Sequence, residues 1–139
     1  MGNRAVWGFR DESDSPIVFL YSHWGGGTRH EDLAIALEAS RPRWSDESYA
    51  TRICISSIIG DDWRGETGYG ISVNSFSAPN YDNYTVVNWA SKTVSFYSYN
   101  WADEGDLPVK SHKEYDRITF DNFCEAFKPV SAPNLFLIK

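Results

Sequence analysis

Hydrophobic and polar positions alternate in short runs whose period changes along the chain, and each change predicts an element. Ala5-Val-Trp-Gly-Phe9 and Ile17-Val-Phe-Leu-Tyr-Ser22 are runs of strand formers. The polar, turn-rich Asp11-Glu-Ser-Asp-Ser-Pro16 between them predicts an antiparallel hairpin. The second run is apolar on both faces, which predicts a central place in the sheet. The period then becomes helical. Leu33, Ala36 and Leu37 mark the buried stripe of a helix over about residues 29–40, stopped by Pro42. Thr28 and Glu31 stand at the two positions of a capping box. A second helix is expected from Ser45 as cap to Gly60, with Trp44 and Tyr49 as a hydrophobic staple. Its stripe is Tyr49, Ala50, Ile53, Cys54 and Ile58, widened by Ile55 and Ile59, which predicts the more buried helix of the two.

Asp61-Asp-Trp-Arg-Gly-Glu-Thr-Gly68 is an irregular loop. Tyr69 to Phe76 alternates imperfectly, Ile71 and Val73 against Ser72 and Asn74, and a loop follows over 77–83. Tyr84–Trp89 and Thr93–Tyr99 predict a hairpin around Ala90-Ser-Lys92, with Val94 and Phe96 on one face of its second arm. Residues 100–114 are polar and predict a surface loop. Thr119 caps a short third helix carrying Phe120, Phe123, Cys124 and Phe127, with Ile118 and Phe123 as a second staple and Pro129 as its end. Leu135-Phe-Leu-Ile138 is too apolar to stand in water, so it adds a strand or docks on another subunit. The order ββααβββα, with room for a C-terminal strand, predicts an α+β fold. A mainly antiparallel sheet with two or three helices packed against it would form a single domain over 1–139.

Composition narrows the partners. Six Trp, eight Tyr and eight Phe in 139 residues supply large flat faces for packing or for stacking on a ligand. Net charge is −6 with no basic run, which argues against bulk DNA or RNA as a partner. A small anionic ligand needs only a few arginines and backbone amides. No stretch is long enough to span a bilayer, and Met1-Gly-Asn-Arg is not followed by the apolar core of a signal peptide, so a cytoplasmic protein is expected.

The segment with most chemical content is His23-Trp24-Gly25-Gly26-Gly27-Thr28-Arg29, which joins an apolar strand to a helix. Glycines there let a phosphate approach the backbone, while the unpaired N–H groups and the helix dipole favour negative charge. Trp24 is then placed to stack on a base, with His23 or Arg29 as a further donor. The plainer reading is a tight turn whose glycines supply positive φ. The segment lacks the Gly-Lys-Ser/Thr ending of a P-loop and the spacing of a dinucleotide fingerprint. Arg4, Arg52 and Arg64 are candidates for clamping a phosphate or carboxylate, against the plainer reading of surface ion pairs.

Other chemistries find less support. His23, His30 and His112 are irregularly spaced and no cysteine cluster accompanies them, so no metal and no cofactor is expected. Ser22 and His23 are neighbours in a strand and point to opposite faces, and no Gly-x-Ser-x-Gly elbow occurs. Cys54 and Cys124 sit in apolar helical patterns, as small buried hydrophobes do. A disulfide between them is the alternative.

Asn3-Arg-Ala-Val6 followed by Tyr21-Ser-His-Trp-Gly-Gly26 resembles a family of small tailed-phage proteins that carry an Asn-Arg-Ala-Val strand and a Tyr-Leu-His-Trp-x-Gly-Gly segment before a helix. Here Ser22 replaces the Leu and Gly27 extends the run. The likeness covers roughly the first forty residues and touches last at Gly68-Tyr-Gly-Ile71. It implies a phage accessory protein made in the bacterial host cytoplasm and transfers no catalytic residue. Together with the glycine segment, it leads to a binder of a small phosphorylated, nucleotide-like ligand, of use in sequestering a host immune signal. The alternatives are a phosphoester or nucleotide hydrolase with His23 as acid or base, and a protein–protein inhibitor of a host factor. A homo-oligomer is expected from the apolar tail and the abundance of aromatics.

Overall fold

A computed structural model describes residues 4–74, 83–98 and 113–129. Strand β1 (Ala5–Arg10) turns back into β2 (Val18–Ser22), and a short 3-10 turn, Gly25–Thr28, leads into α1 (Arg29–Ser40). Helix α2 (Glu47–Ile59) and a 3-10 turn, Gly60–Arg64, then bring the chain to β3 (Tyr69–Val73). The hairpin β4 (Asn83–Asn88) and β5 (Thr93–Ser98), strand β6 (Lys113–Thr119) and α3 (Phe120–Phe127) complete the order. The six strands form one sheet in the order β3-β2-β1-β4-β5-β6. Neighbours are antiparallel except β1 and β4, which run parallel. The fold is therefore α+β with a mainly antiparallel sheet, as the pattern predicts.

The two faces of the sheet differ. One carries Trp7, Phe9, Leu20, Val87, Trp89 and Val94, which share a buried core with residues of all three helices. The buried Trp7 and Trp89 and the half-buried Trp44 are each tied down by the indole N–H: Trp7 Nε1 donates to Arg29 O, Trp89 Nε1 to Thr51 Oγ1, and Trp44 Nε1 to Leu37 O. The opposite face carries a second buried cluster, Val6, Ile17, Phe19, Tyr84 and Val86, with Tyr21 and Tyr97 packed on it. At the β2–β3 end, Asn74 adopts φ 66 and exchanges two hydrogen bonds with the backbone of Ile17.

Several expectations hold in detail. Helix α1 occupies Arg29–Ser40, α2 ends at Gly60, and Thr119 Oγ1 accepts from Asn122 N to cap α3. Others are corrected. Helix α1, not α2, is the more buried: it buries five residues against two, because it packs between α2 and α3. Helix α2 begins after Asp46, and no staple forms. Tyr49 is 53% exposed beneath the Arg43 guanidinium, while Trp44 turns to Phe120. No capping box forms at Thr28, whose hydroxyl donates to Asp32 instead. The turn over Gly25–Thr28 already winds into α1, so carbonyls of that turn meet the first amides of the helix.

Residues 113–114, expected to end a surface loop, instead open strand β6, which runs on to Thr119. It is an edge strand with charged outward positions, and a bulge beside Phe96 and Tyr97 breaks its alternation. The expected loop over 77–83 up to residue 82, the continuation of β3 to Phe76, Tyr99, the stretch to His112 and the tail Leu135–Ile138 lie outside the described residues. No helix among the described residues is long and apolar enough to cross a membrane.

Candidate functional site

The β2–α1 turn gathers seven of the nine candidate residues, His23 through Arg29. Its geometry follows from two anchors. His23 N donates to Gly68 O at 2.9 Å, and Trp24 N to Ser22 Oγ at 3.3 Å. Gly25 then passes close to the core. A Cβ there would lie 2.9 Å from Ser22 Oγ and 3.0 Å from the Trp7 ring, so close approach rather than positive φ demands glycine. Gly26 is buried, whereas Gly27 and Thr28 are exposed.

Trp24 is the prominent group. Its indole is 65% exposed yet held: one edge lies over Gly68, and the His23 ring meets it edge-on with centroids 4.9 Å apart. His23 Nδ1 shares a 3.1 Å hydrogen bond with the Tyr21 hydroxyl, which fixes the imidazole. The result is a fixed aromatic surface beside the start of a helical run that extends through the Gly25–Thr28 turn into α1.

The arginines divide. Arg29 turns inward and donates to Gly26 O at 2.9 Å and to Asn83 Oδ1 at 3.0 Å, clasping the turn to β4. Arg64 lies on the approach to Gly68 with its guanidinium 4.9 Å over the Trp63 ring. Arg52 points outward from α2 towards Ser56, and nothing links it to the turn. A shallow groove on the approach to β3 has mostly apolar walls with one carboxylate, Asp62, in its lining. Trp63, Ile59, Leu20 and Ile71 line it at the sheet edge, and Ile71 and Val73 are both exposed.

His30 faces away from this surface. It sits among Phe96, Phe123 and Phe127, with its Nδ1 buried and without a hydrogen-bond partner. Burial, reinforced by the Arg29 charge, lowers its pKa to about 4. Cys54 and Cys124 are free and buried, and burial pushes both thiols up to about 12, so neither is a nucleophile at neutral pH. Among the described residues no group of three His, Cys, Asp or Glu side chains is arranged to hold a metal ion.

Sequence reasoning missed Gly68, Tyr21 and Ser22, which position His23 and Trp24. Gly68 adopts φ 102, and the Gly65 and Gly68 spacing was the signal for a shaped loop rather than a loose one. Compared with protein-family models, curated proteins and solved structures, the chain matches none.

Proposed function

We propose that this chain is a non-enzymatic binding protein for a small phosphorylated, nucleotide-like ligand, taken at the β2–α1 turn. The observation that carries the reading is Trp24. A large indole that is exposed and yet braced by Gly68 and His23 offers a base a ready platform, with little ordering cost on binding. Beside it, the N–H groups that open the Gly25–Thr28 turn precede any internal helical acceptor and favour a phosphate. Arg29 serves the shape of the turn, and Arg64, on the loop that leads to Gly68, is the candidate for neutralising charge. The resemblance to small tailed-phage proteins supports a role in the host cell, with sequestration of a signalling nucleotide as its use.

A panel of nucleotides, nucleosides and inorganic phosphate tests the reading by thermal shift. Nucleotides should raise Tm in a dose-dependent way, and denaturation should return them intact by mass spectrometry. Conversion of the nucleotide would favour the hydrolase instead, and no shift with any nucleotide would remove the reading.

One observation favours a host-protein inhibitor as the second reading. Among the described residues the sheet edges are β6 and β3: β6 bears Lys113, Glu114, Asp116 and Arg117 and a bulge, which discourage strand addition, whereas β3 presents Ile71 and Val73 with no charged residue. A partner strand adding to β3 would be blocked by Ile71→Lys. Nucleotide binding at Trp24 would survive that change.

A further inference from the structure

Strand register creates a second site that no single segment of sequence displays. On the sheet face away from the helices, Arg10, Asn88 and Thr93 share one cross-strand row. Val86, Ser95 and Arg117 share the next, and Tyr97 and Glu114 a third. Side chains of alternate residues share a face, so four strands bring these groups around one cleft. Its open volume is about 170 Å³, with Val86 in the lining and polar groups around it.

The cleft is built rather than merely polar. Arg10 is held by donating Nε and Nη2 to Ser15 O at 3.2 and 2.7 Å. Tyr97 stacks on the buried Tyr84 with rings 5.4 Å apart. Arg117 donates two bonds to the Glu114 carboxylate, at 2.8 and 2.9 Å. That pairing holds the Glu114 carboxyl below its usual range, and burial raises the Tyr97 hydroxyl, which is therefore neutral and able to donate. Each guanidinium has five N–H donors, more than these partners consume. Two guanidiniums against one carboxylate make the cleft locally cationic on a chain of net charge −6. Asn88 Oδ1 and Thr93 Oγ1 are engaged with Ser91, and Ser95 with Glu114, which leaves the Asn88 amide N–H to donate to a ligand hydroxyl.

We propose that this cleft binds a small hydroxylated anion, a phosphate monoester or carboxylate of a short polyol, held between Arg10 and Arg117. It is too small for a dinucleotide, and none of its lining residues belongs to the β2–α1 turn or to Tyr21, His23 and Gly68 around Trp24, so it is a site distinct from the Trp24 surface. Glu114 restrains the site by occupying Arg117.

The test is an NMR titration of the full chain, following the backbone amides of Asn88, Ser95 and Arg117 and the Trp24 indole N–H. The probes are glycerol 3-phosphate, glycerate, inorganic phosphate and glycerol. Saturable shifts at the cleft amides with glycerol 3-phosphate or glycerate, and none with glycerol, are expected; which of the two binds tighter identifies the head group. Arg117→Gln should weaken binding roughly tenfold or more, because it removes one fork and leaves the Glu114 charge without a guanidinium to neutralise it. Glu114→Gln should tighten it several-fold by releasing Arg117, a gain that a purely structural role for the pair would not give. Both substitutions are at an exposed edge strand, so the fold should persist, as the unchanged remainder of the spectrum will verify. Absence of saturable cleft shifts, or equal affinity in both variants, overturns the proposal. Shifts confined to the Trp24 indole would overturn it too, while leaving the turn site standing.

Discussion

The ring of Trp24 lies so close to Gly68 that a Cβ at position 68 would come within 2.9 Å of it. Gly68 also has φ 102, a conformation that side chains rarely adopt, so backbone and indole both require glycine there. Gly68→Ala should therefore displace the Trp24 ring and weaken nucleotide binding by about tenfold or more. The indole N–H resonance of Trp24 checks the displacement, and a titration checks the affinity. Unchanged affinity with a displaced ring would separate the platform from the site.

Gly25 meets the core, with Ser22 and Trp7 against it. Gly25→Ala forces Ser22 or Trp7 to move and should cost about 1–3 kcal/mol of stability, as overpacking does. Chemical denaturation measures it, and the midpoint should fall with an unchanged slope. A neutral outcome would mean that the turn swings outward freely.

His30 gives the fold an acid-sensitive component. Folded, it is held down to about 4, first by burial and then by Arg29; unfolded, it titrates near 6.5. The unfolded chain therefore gains a proton that the folded chain refuses as pH falls through 6.5. The stability contribution is complete above that value and is lost progressively down to about 4. His30→Phe removes both the titration and a buried nitrogen without a partner, among three aromatic neighbours. Melting curves should show the variant at least as stable at neutral pH, with an advantage that widens on acidification through this window. A constant difference would contradict the assignment.

Thr119 ties β6 to α3. Loss of its cap in Thr119→Ala should cost about 1 kcal/mol, since Asn122 N then loses its acceptor. Because α3 carries Phe123 and Phe127 of the His30 surround, hydrogen exchange in α3 should accelerate more than in α2. Equal acceleration in both helices would show that α3 is not a separable unit.

What was legible in the sequence was local. The β1–β2 hairpin, the bounds of α1 and the cap of α3 follow from period, proline and capping residues that act within a few positions of one another. Burial of the helices was not local. The stripe of α2 contains more isoleucine than α1, yet α1 is deeper because it lies between two helices, a fact of tertiary arrangement. Strand β6 was obscured for a related reason: its charges suit an edge, and a bulge at the Phe96–Tyr97 pairing spoils the two-residue period. At the candidate site, the glycines and Trp24 single out the turn in the sequence. Arg29 looked the same in sequence whether it faced a ligand or Gly26 O and Asn83. Arg10 and Arg117 offered no signal at all, since only the register across four strands brings them together.

The most direct measurement is calorimetric titration of a nucleotide into the native chain, Trp24→Phe and Trp24→Ala, with folding checked by circular dichroism. Because the indole is mostly solvent-exposed, both variants should fold. Binding should persist in the phenylalanine variant, weakened, and fall by roughly tenfold or more in the alanine variant, in line with the loss of one stacked base. Equal affinity in all three proteins, or no heat with any nucleotide, would contradict a ligand surface at the β2–α1 turn.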